Sequence, residues 1–175
     1  MKTEIRIGGL GGQGVVLAGQ ILGRAAVYDG KNAVQTQSYG AEARGSLAKS
    51  EVIISNTKIG FPVVRKCDML IAMNQEALDT YLKDLKDDGK LIIDSTYVKE
   101  VPKTKVKIFE VPATESAEKA LGTKVYANIL MLGALTKITG IVSEASMEKA
   151  IEEAATKESV EPNKRAFRKG AELAT

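Results

Sequence analysis

The sequence predicts an α/β protein: a mostly parallel, Rossmann-like sheet enclosed by helices in a three-layer α/β/α sandwich. Short β-branched runs alternate with stretches of helical periodicity, a glycine-rich turn marks the first junction between them, and the chain after Pro112 turns wholly helical. At 175 residues there is volume for one well-buried domain. No repeat, low-complexity tract or linker interrupts the chain, so residues 1–175 are expected to form that single domain.

The first strand is the alternating run Glu4-Ile5-Arg6-Ile7. It leads into Gly8-Gly9-Leu10-Gly11-Gly12-Gln13-Gly14, and Val15 to Val27 then recur at helical spacing. Gly9, Gly11 and Gly14 fit the G-x-G-x-x-G spacing, in which missing Cβ atoms allow a tight turn and close backbone approach. A helix opening near Gly14 directs unpaired N–H groups and its positive dipole end at the turn, which suits an anion. A tight turn that holds no ligand needs the same residues. The helix should close near Asp29-Gly30, where glycine can take a left-handed cap.

Asn32 to Ser38 reads as a second parallel strand. A dinucleotide site would place Asp or Glu at its end, but Gln35, Thr36, Gln37 and Ser38 stand there, and Asp29 lies on the wrong side of the strand. The segment Ser38 to Ser46 then packs turn chemistry, Glu42 and Arg44 together. These two side chains either meet a polar ligand or partner, or pair with each other on a solvated turn.

A buried strand follows at Ala48–Ser55, and Ile59-Gly60-Phe61-Pro62-Val63 marks a turn and apolar link. Cys67 to Met73 is the next strand. Asn74 caps a helix expected to reach about Leu85, with Ala77, Leu78, Tyr81 and Leu82 inward. Asp88-Gly89 reads as a turn, Lys90 to Ser95 as a strand ending at Asp94, and Lys105 to Val111 as an edge strand with one wet face. Helices are expected at Ser116–Leu121, Tyr126–Thr139, Ser143–Lys157 and from about Pro162. The third of these sets Ala145, Met147, Ala150, Ile151 and Ala154 inward.

Composition narrows the chemistry. Hydrophobic residues make up 44% and charged residues 27%, the mix of a globular chain, and the net charge of +3 is too mild for nucleic-acid binding by charge alone. The run Val125 to Val142 is apolar, but Asn128, Lys137, Gly133 and Gly140 interrupt it, so it reads as a helix buried in a protein core or an interface and not a membrane span. No export signal follows Met1-Lys2-Thr3, which leads to the expectation of a cytoplasmic chain. The absence of His removes the commonest general base and metal ligand, and the lone Cys67 cannot hold an iron–sulfur cluster. On these grounds alone, a free-standing nucleotide-binding enzyme and a purely scaffolding chain both stay open.

Several motifs together resemble the γ subunit of the 2-oxoacid:ferredoxin oxidoreductases. They are the glycine turn with Gln13; Tyr39-Gly40 leading to Glu42-Ala43-Arg44-Gly45; Ser50 to Ser55; Asp68 with Asn74-Gln75; Asn128 with Leu132-Gly133; and Asn163, Ala166-Phe167 and Gly170. Ser46 departs from the pattern, since a second glycine commonly follows the arginine. The resemblance implies a thiamine-dependent enzyme that converts a 2-oxoacid, coenzyme A and oxidised ferredoxin into acyl-CoA, carbon dioxide and reduced ferredoxin. It implies thiamine diphosphate and Mg²⁺ between the α and β chains, iron–sulfur clusters on β and a small ferredoxin-like δ chain, and no catalytic residue or tightly bound cofactor in this chain, which would be inactive alone. Gly9, Gly11, Gly12, Gln13, Gly14 and Arg44 are then expected to contact CoA or a neighbouring subunit, with Tyr39, Glu42, Arg44 and Gly45 at the subunit interface. The short free-standing form, with no fused ferredoxin domain, points to 2-oxoglutarate as the 2-oxoacid.

Overall fold

The computed structural model describes residues 1–40 and 45–174. Strand β1 (Lys2–Leu10) leads into α1 (Val15–Tyr28), followed by β2 (Asn32–Tyr39), β3 (Leu47–Ser55) and β4 (Cys67–Ala72). Helix α2 (Gln75–Tyr81) passes through a 3₁₀ turn into β5 (Leu85–Asp94), and β6 (Lys107–Val111) completes the sheet. Helices α3 (Ala113–Leu121), α4 (Ala127–Thr139), α5 (Glu144–Ala154) and α6 (Val160–Leu173) follow.

The sheet has six strands in the order β2-β3-β1-β4-β5-β6. Strands β1, β4, β5 and β6 run parallel side by side, as the sequence predicts. The other edge differs from expectation. Strand β2 does not lie beside β1; β3 comes between them, antiparallel to both. A long connection returns the chain as a hairpin, and pairing of this kind is decided by tertiary contact that local pattern does not encode.

Alternation within the strands divides the core into two. Ile5, Ile7, Val52, Ile54, Ile71 and Ile92 face α1 and the helices of the C-terminal half. Ile53, Leu70, Leu91 and Ile93 face the other way, against Ala77 and Leu78 of α2, with Val64 and Val98 from the flanking loops. The second face is thus covered by one short helix and extended chain. Its helix ends earlier than expected because Leu82–Asp84 tightens into the 3₁₀ turn, and the Asp88-Gly89 pair expected as a turn lies within β5. The register between β4 and β5 shifts there, pairing Cys67 with Leu85 and Met69 with Lys90.

Helices α4 and α6 cross at unusually close range. A Cβ on Gly133 would lie 2.0 Å from the Phe167 carbonyl oxygen, and one on Gly170 would lie 1.8 Å from that of Leu130. Glycine at both positions lets the two backbones touch. On α5, Met147, Ala150 and Ile151 are buried, whereas Ala145 and Ala154 are exposed, so its inward stripe is narrower than predicted. Among the described residues no helix is long and apolar enough to cross a membrane.

Candidate functional site: the glycine turn and the edge around it

The C-terminal ends of β1, β4, β5 and β6 lie at one edge of the sheet, together with the end of β2 and the start of β3. The glycine turn occupies the centre of that edge. Gly12 has φ 95° and Gly14 has φ 76°, left-handed conformations that favour glycine, and Gly14 is the N-cap of α1. Strand, tight turn and helix follow one another as the spacing predicts.

What the glycines accommodate is mostly protein. The Gln13 side chain accepts from the Leu10 amide at 2.7 Å and donates to the Met73 carbonyl at 3.1 Å, tying the turn to the end of β4. A Cβ on Gly9 would lie 2.7 Å from that Gln13 oxygen. The Gly11 amide donates to the Ser46 carbonyl, and the Gln13 amide donates back to Leu10. A Cβ on Gly14 would lie 2.4 Å from Nδ2 of Asn128, which itself donates to the Gly14 carbonyl and docks the start of α4 on the turn. The amides of Leu10, Gly11 and Gln13 are therefore engaged internally, which leaves a phosphate fewer donors than the glycine spacing suggested. Within the turn Gly12 projects most freely: it is exposed, and among the described residues no atom lies within 4 Å of where its Cβ would stand.

The second expected loop stands beside the first. Tyr39 closes β2 opposite Ala48, with 63% of its surface exposed, and Gly45 returns the chain with φ 70°. Glu42 and Arg44 lie outside the described residues. Two shallow clefts flank the glycine turn. One, of about 250 Å³, is lined by Gly11, Gly12, Val16, Leu17 and Tyr39. The other, of about 270 Å³, is lined by Gly12, Gln13, Met73, Tyr97, Lys124 and Val125. Leu17, Tyr39, Tyr97 and Val125 are exposed large apolar residues, with Val125 at 66%. A rim of this composition suits a protein surface better than a nucleotide. Sequence reading missed Leu17, Tyr97, Lys124 and Val125; only Tyr97, three residues past the end of β5, carried a signal as a residue just beyond a strand on the ligand edge of a parallel sheet, whereas Leu17 lies within α1 and Lys124 and Val125 follow α3. A larger depression, an open groove of about 650 Å³ between α1 and β2, includes Gln20, Arg24 and Gln35 and lies away from the turn.

Other polar candidates have internal roles. Asn74 caps α2 through the Ala77 amide at 3.0 Å. Asp94, fully buried, accepts from the Thr114 hydroxyl at 2.6 Å and from the Thr96 amide, joining the end of β5 to the start of α3. Asp68 accepts from the Glu4 amide and from Lys86. Burial pushes the Cys67 thiol up to about 11, the reverse of an activated nucleophile. Among the described residues no group of three or more His, Cys, Asp or Glu is placed to hold a metal ion.

Residues 4–173 match the pyruvate ferredoxin/flavodoxin oxidoreductase family. The chain is 50% identical to the 2-oxoglutarate synthase subunit KorC of Methanocaldococcus jannaschii, over 99% of this chain and 95% of that one. It is 48% identical to the KorC subunit of Methanothermobacter thermautotrophicus, over 99% and 95%. Among solved structures, the γ subunit of a keto/oxoacid ferredoxin oxidoreductase from Geobacter sulfurreducens superposes with a TM-score of 0.88, at 44% identity and 98% coverage of each chain. The protein belongs to the pyruvate ferredoxin/flavodoxin oxidoreductase family, within which it is of the γ-subunit type.

Proposed function

We propose that this chain, working as one domain, is the γ subunit of a cytoplasmic 2-oxoglutarate:ferredoxin oxidoreductase and braces the active-site wall formed by its α and β subunits. The observation that carries this is the edge itself: two loops joined by the Gly11–Ser46 hydrogen bond and ringed by exposed Leu17, Tyr39, Tyr97 and Val125. Such a surface supports contact with another chain, and likeness to subunits of 2-oxoglutarate synthases supports the choice of complex and 2-oxoacid. The chain is inactive alone and acts on 2-oxoglutarate, CoA and ferredoxin only in the assembly.

This chain's donors do not fit an iron–sulfur cluster. Its one cysteine is buried as a neutral thiol, and it has no histidine. The iron–sulfur clusters therefore belong to the β and ferredoxin-like δ partners, and thiamine diphosphate with Mg²⁺, which takes oxygen ligands, is placed between α and β by the family resemblance alone. Direct contact with CoA is a second role for the same edge, supported by the open cleft where Gly12 and Lys124 face solvent. Arg44 and the start of α1 would supply the remaining positive charge.

The experiment is reconstitution of the complex with and without this chain, reading 2-oxoglutarate- and CoA-dependent ferredoxin reduction. Activity is expected only with the chain present; full activity without it would reject the bracing role. Arg44→Ala in the assembly tests the CoA contact, which an unchanged KM for CoA would exclude.

A further inference from the structure

The connection between β3 and β4, residues 56–66, leaves the sheet at the edge opposite the glycine turn, where Ser55 pairs with Lys2 at the start of β1. It is anchored on both sides of its tip. Val64 is buried in the smaller core with Ile59 packed partly against it, and the Val64 carbonyl accepts from the Arg6 guanidinium at 3.1 Å. Between these anchors the chain presents Gly60-Phe61-Pro62-Val63 to the outside, with Phe61 56% and Val63 49% exposed. Two anchors and a proline fix the shape of the tip, so little ordering remains when something docks on it.

Its chemistry is one-sided. Residues 56–66 contain Lys58, Arg65 and Lys66 and no carboxylate. The Arg65 guanidinium stands 5.5 Å from the centre of the Phe61 ring, and Lys66 donates its ammonium to the Lys83 carbonyl. The acids flanking it in sequence are occupied, Glu51 by Arg6 and Asp68 by Lys86, and Asp84, next to the Lys83 that Lys66 contacts, also pairs with Arg6. An exposed aromatic stacked under arginine, beside further cations, has the make-up of an interface anchor.

We propose that the Phe61-Pro62-Val63 tip is a second docking point, on which this subunit carries an apolar pocket rimmed by carboxylates on a neighbouring subunit of the same complex. The proposal rests on the reading of the chain as a γ subunit. Charge decides the occupant: two copies of the tip would oppose cation to cation, whereas an acidic surface complements it. This contact lies at the far end of the sheet from the glycine edge, so the chain touches its complex at two ends.

The test uses the assembled complex, with a photo-crosslinking phenylalanine analogue in place of Phe61 and with Phe61→Asp and Arg65→Glu variants made separately. An adduct to an acid-rich segment of another subunit is expected, and Phe61→Asp should lower retention of the chain in the complex about tenfold. Retention of the unaltered chain should fall as salt rises, and that dependence should weaken in Arg65→Glu. An adduct between two copies of this chain, an adduct seen only when soluble ferredoxin is added, or no adduct at all would overturn the proposal. Unchanged retention of Phe61→Asp would do the same. Failure of the unaltered chain to assemble with other subunits would instead overturn the subunit reading. Phe61 is exposed, so the melting temperature of the isolated variant checks its fold independently.

Discussion

The backbone amide of Gly11 donates to the carbonyl of Ser46 at 2.8 Å, extending the β1–β3 pairing one residue beyond Leu10 and Leu47. The glycine turn and the entry to β3 therefore form one rigid piece, with Gln13 tying it to β4 and Asn128 tying it to α4. A bracing edge needs this stiffness.

Two substitutions in the turn separate backbone strain from close approach. Gly12→Ala meets no described atom within 4 Å but must hold φ 95°, so it should cost about 1–2 kcal/mol. Gly14→Ala carries similar strain and also displaces Asn128 from its hydrogen bond to the Gly14 carbonyl, costing about 1–3 kcal/mol more. Urea denaturation of the isolated chain measures both. Equal losses would mean that the Asn128 contact contributes nothing.

Arg6 is 3% exposed, and its guanidinium meets Glu51 at 2.8 Å and Asp84 at 2.7 Å. Burial works against its charge, but the hydrogen bonds to Glu51 and Asp84 outweigh burial and raise its pKa above the usual arginine value. Arg6→Met should destabilise the chain by about 3–5 kcal/mol by leaving Glu51 with only the more distant, partly exposed Lys49 ammonium at 3.5 Å. Adding Glu51→Gln should recover much of that loss. A double variant no more stable than the single one would show that the pair itself is not the cause.

These two cases mark what sequence could convey. Gly12 and Gly14 were legible because a left-handed turn between strand and helix is a local requirement, and so were the cap at Asn74 and the left-handed Gly30 that closes α1. Arg6 sits in an alternating run that a half-wet strand would share, and its burial depends on Glu51 and Asp84, distant in the chain. The insertion of β3 between β1 and β2 is equally non-local. Gln13 was expected to contact CoA or a neighbouring subunit, and what sequence did not convey is that both ends of its amide also tie the turn together. The apolar rim escaped because Leu17, Tyr97 and Val125 become neighbours of the turn only after folding.

Stability should respond to acid through Asp29, whose carboxylate accepts from the Ser143 amide and hydroxyl at 2.7 Å and from the Ser146 hydroxyl at 2.6 Å. Burial would raise its pKa, but the bonds from Ser146 and Ser143 prevail and hold it below the ordinary value. A lowered folded pKa means that the contribution is complete above the unfolded value, about 4, and is lost as pH falls through the lower folded one. The difference in melting temperature between the natural chain and Asp29→Asn should be steady from neutral pH to about 5, then shrink in more acid solution. Ser143 also caps α5, so Ser143→Ala should cost about 1 kcal/mol. A pH-independent gap for Asp29→Asn would remove Asp29 from this role.

Alkaline solution should act through Cys67, which is fully buried at the start of β4. Burial raises its thiol pKa to about 11 against the smaller opposing pull of Arg6. A raised folded pKa favours the native state below the unfolded thiol value, about 8.5, and that contribution disappears as pH climbs through the folded value. Cys67→Ala loses packing at every pH but should show a shallower decline in stability on the alkaline side. The native chain should resist a thiol-alkylating reagent at pH 8 and react only at the rate at which it opens, rising with urea in step with unfolding. Alkylation at the rate of a free thiol, with the fold intact by circular dichroism, would instead reveal an accessible thiolate and reopen a chemical role for this residue.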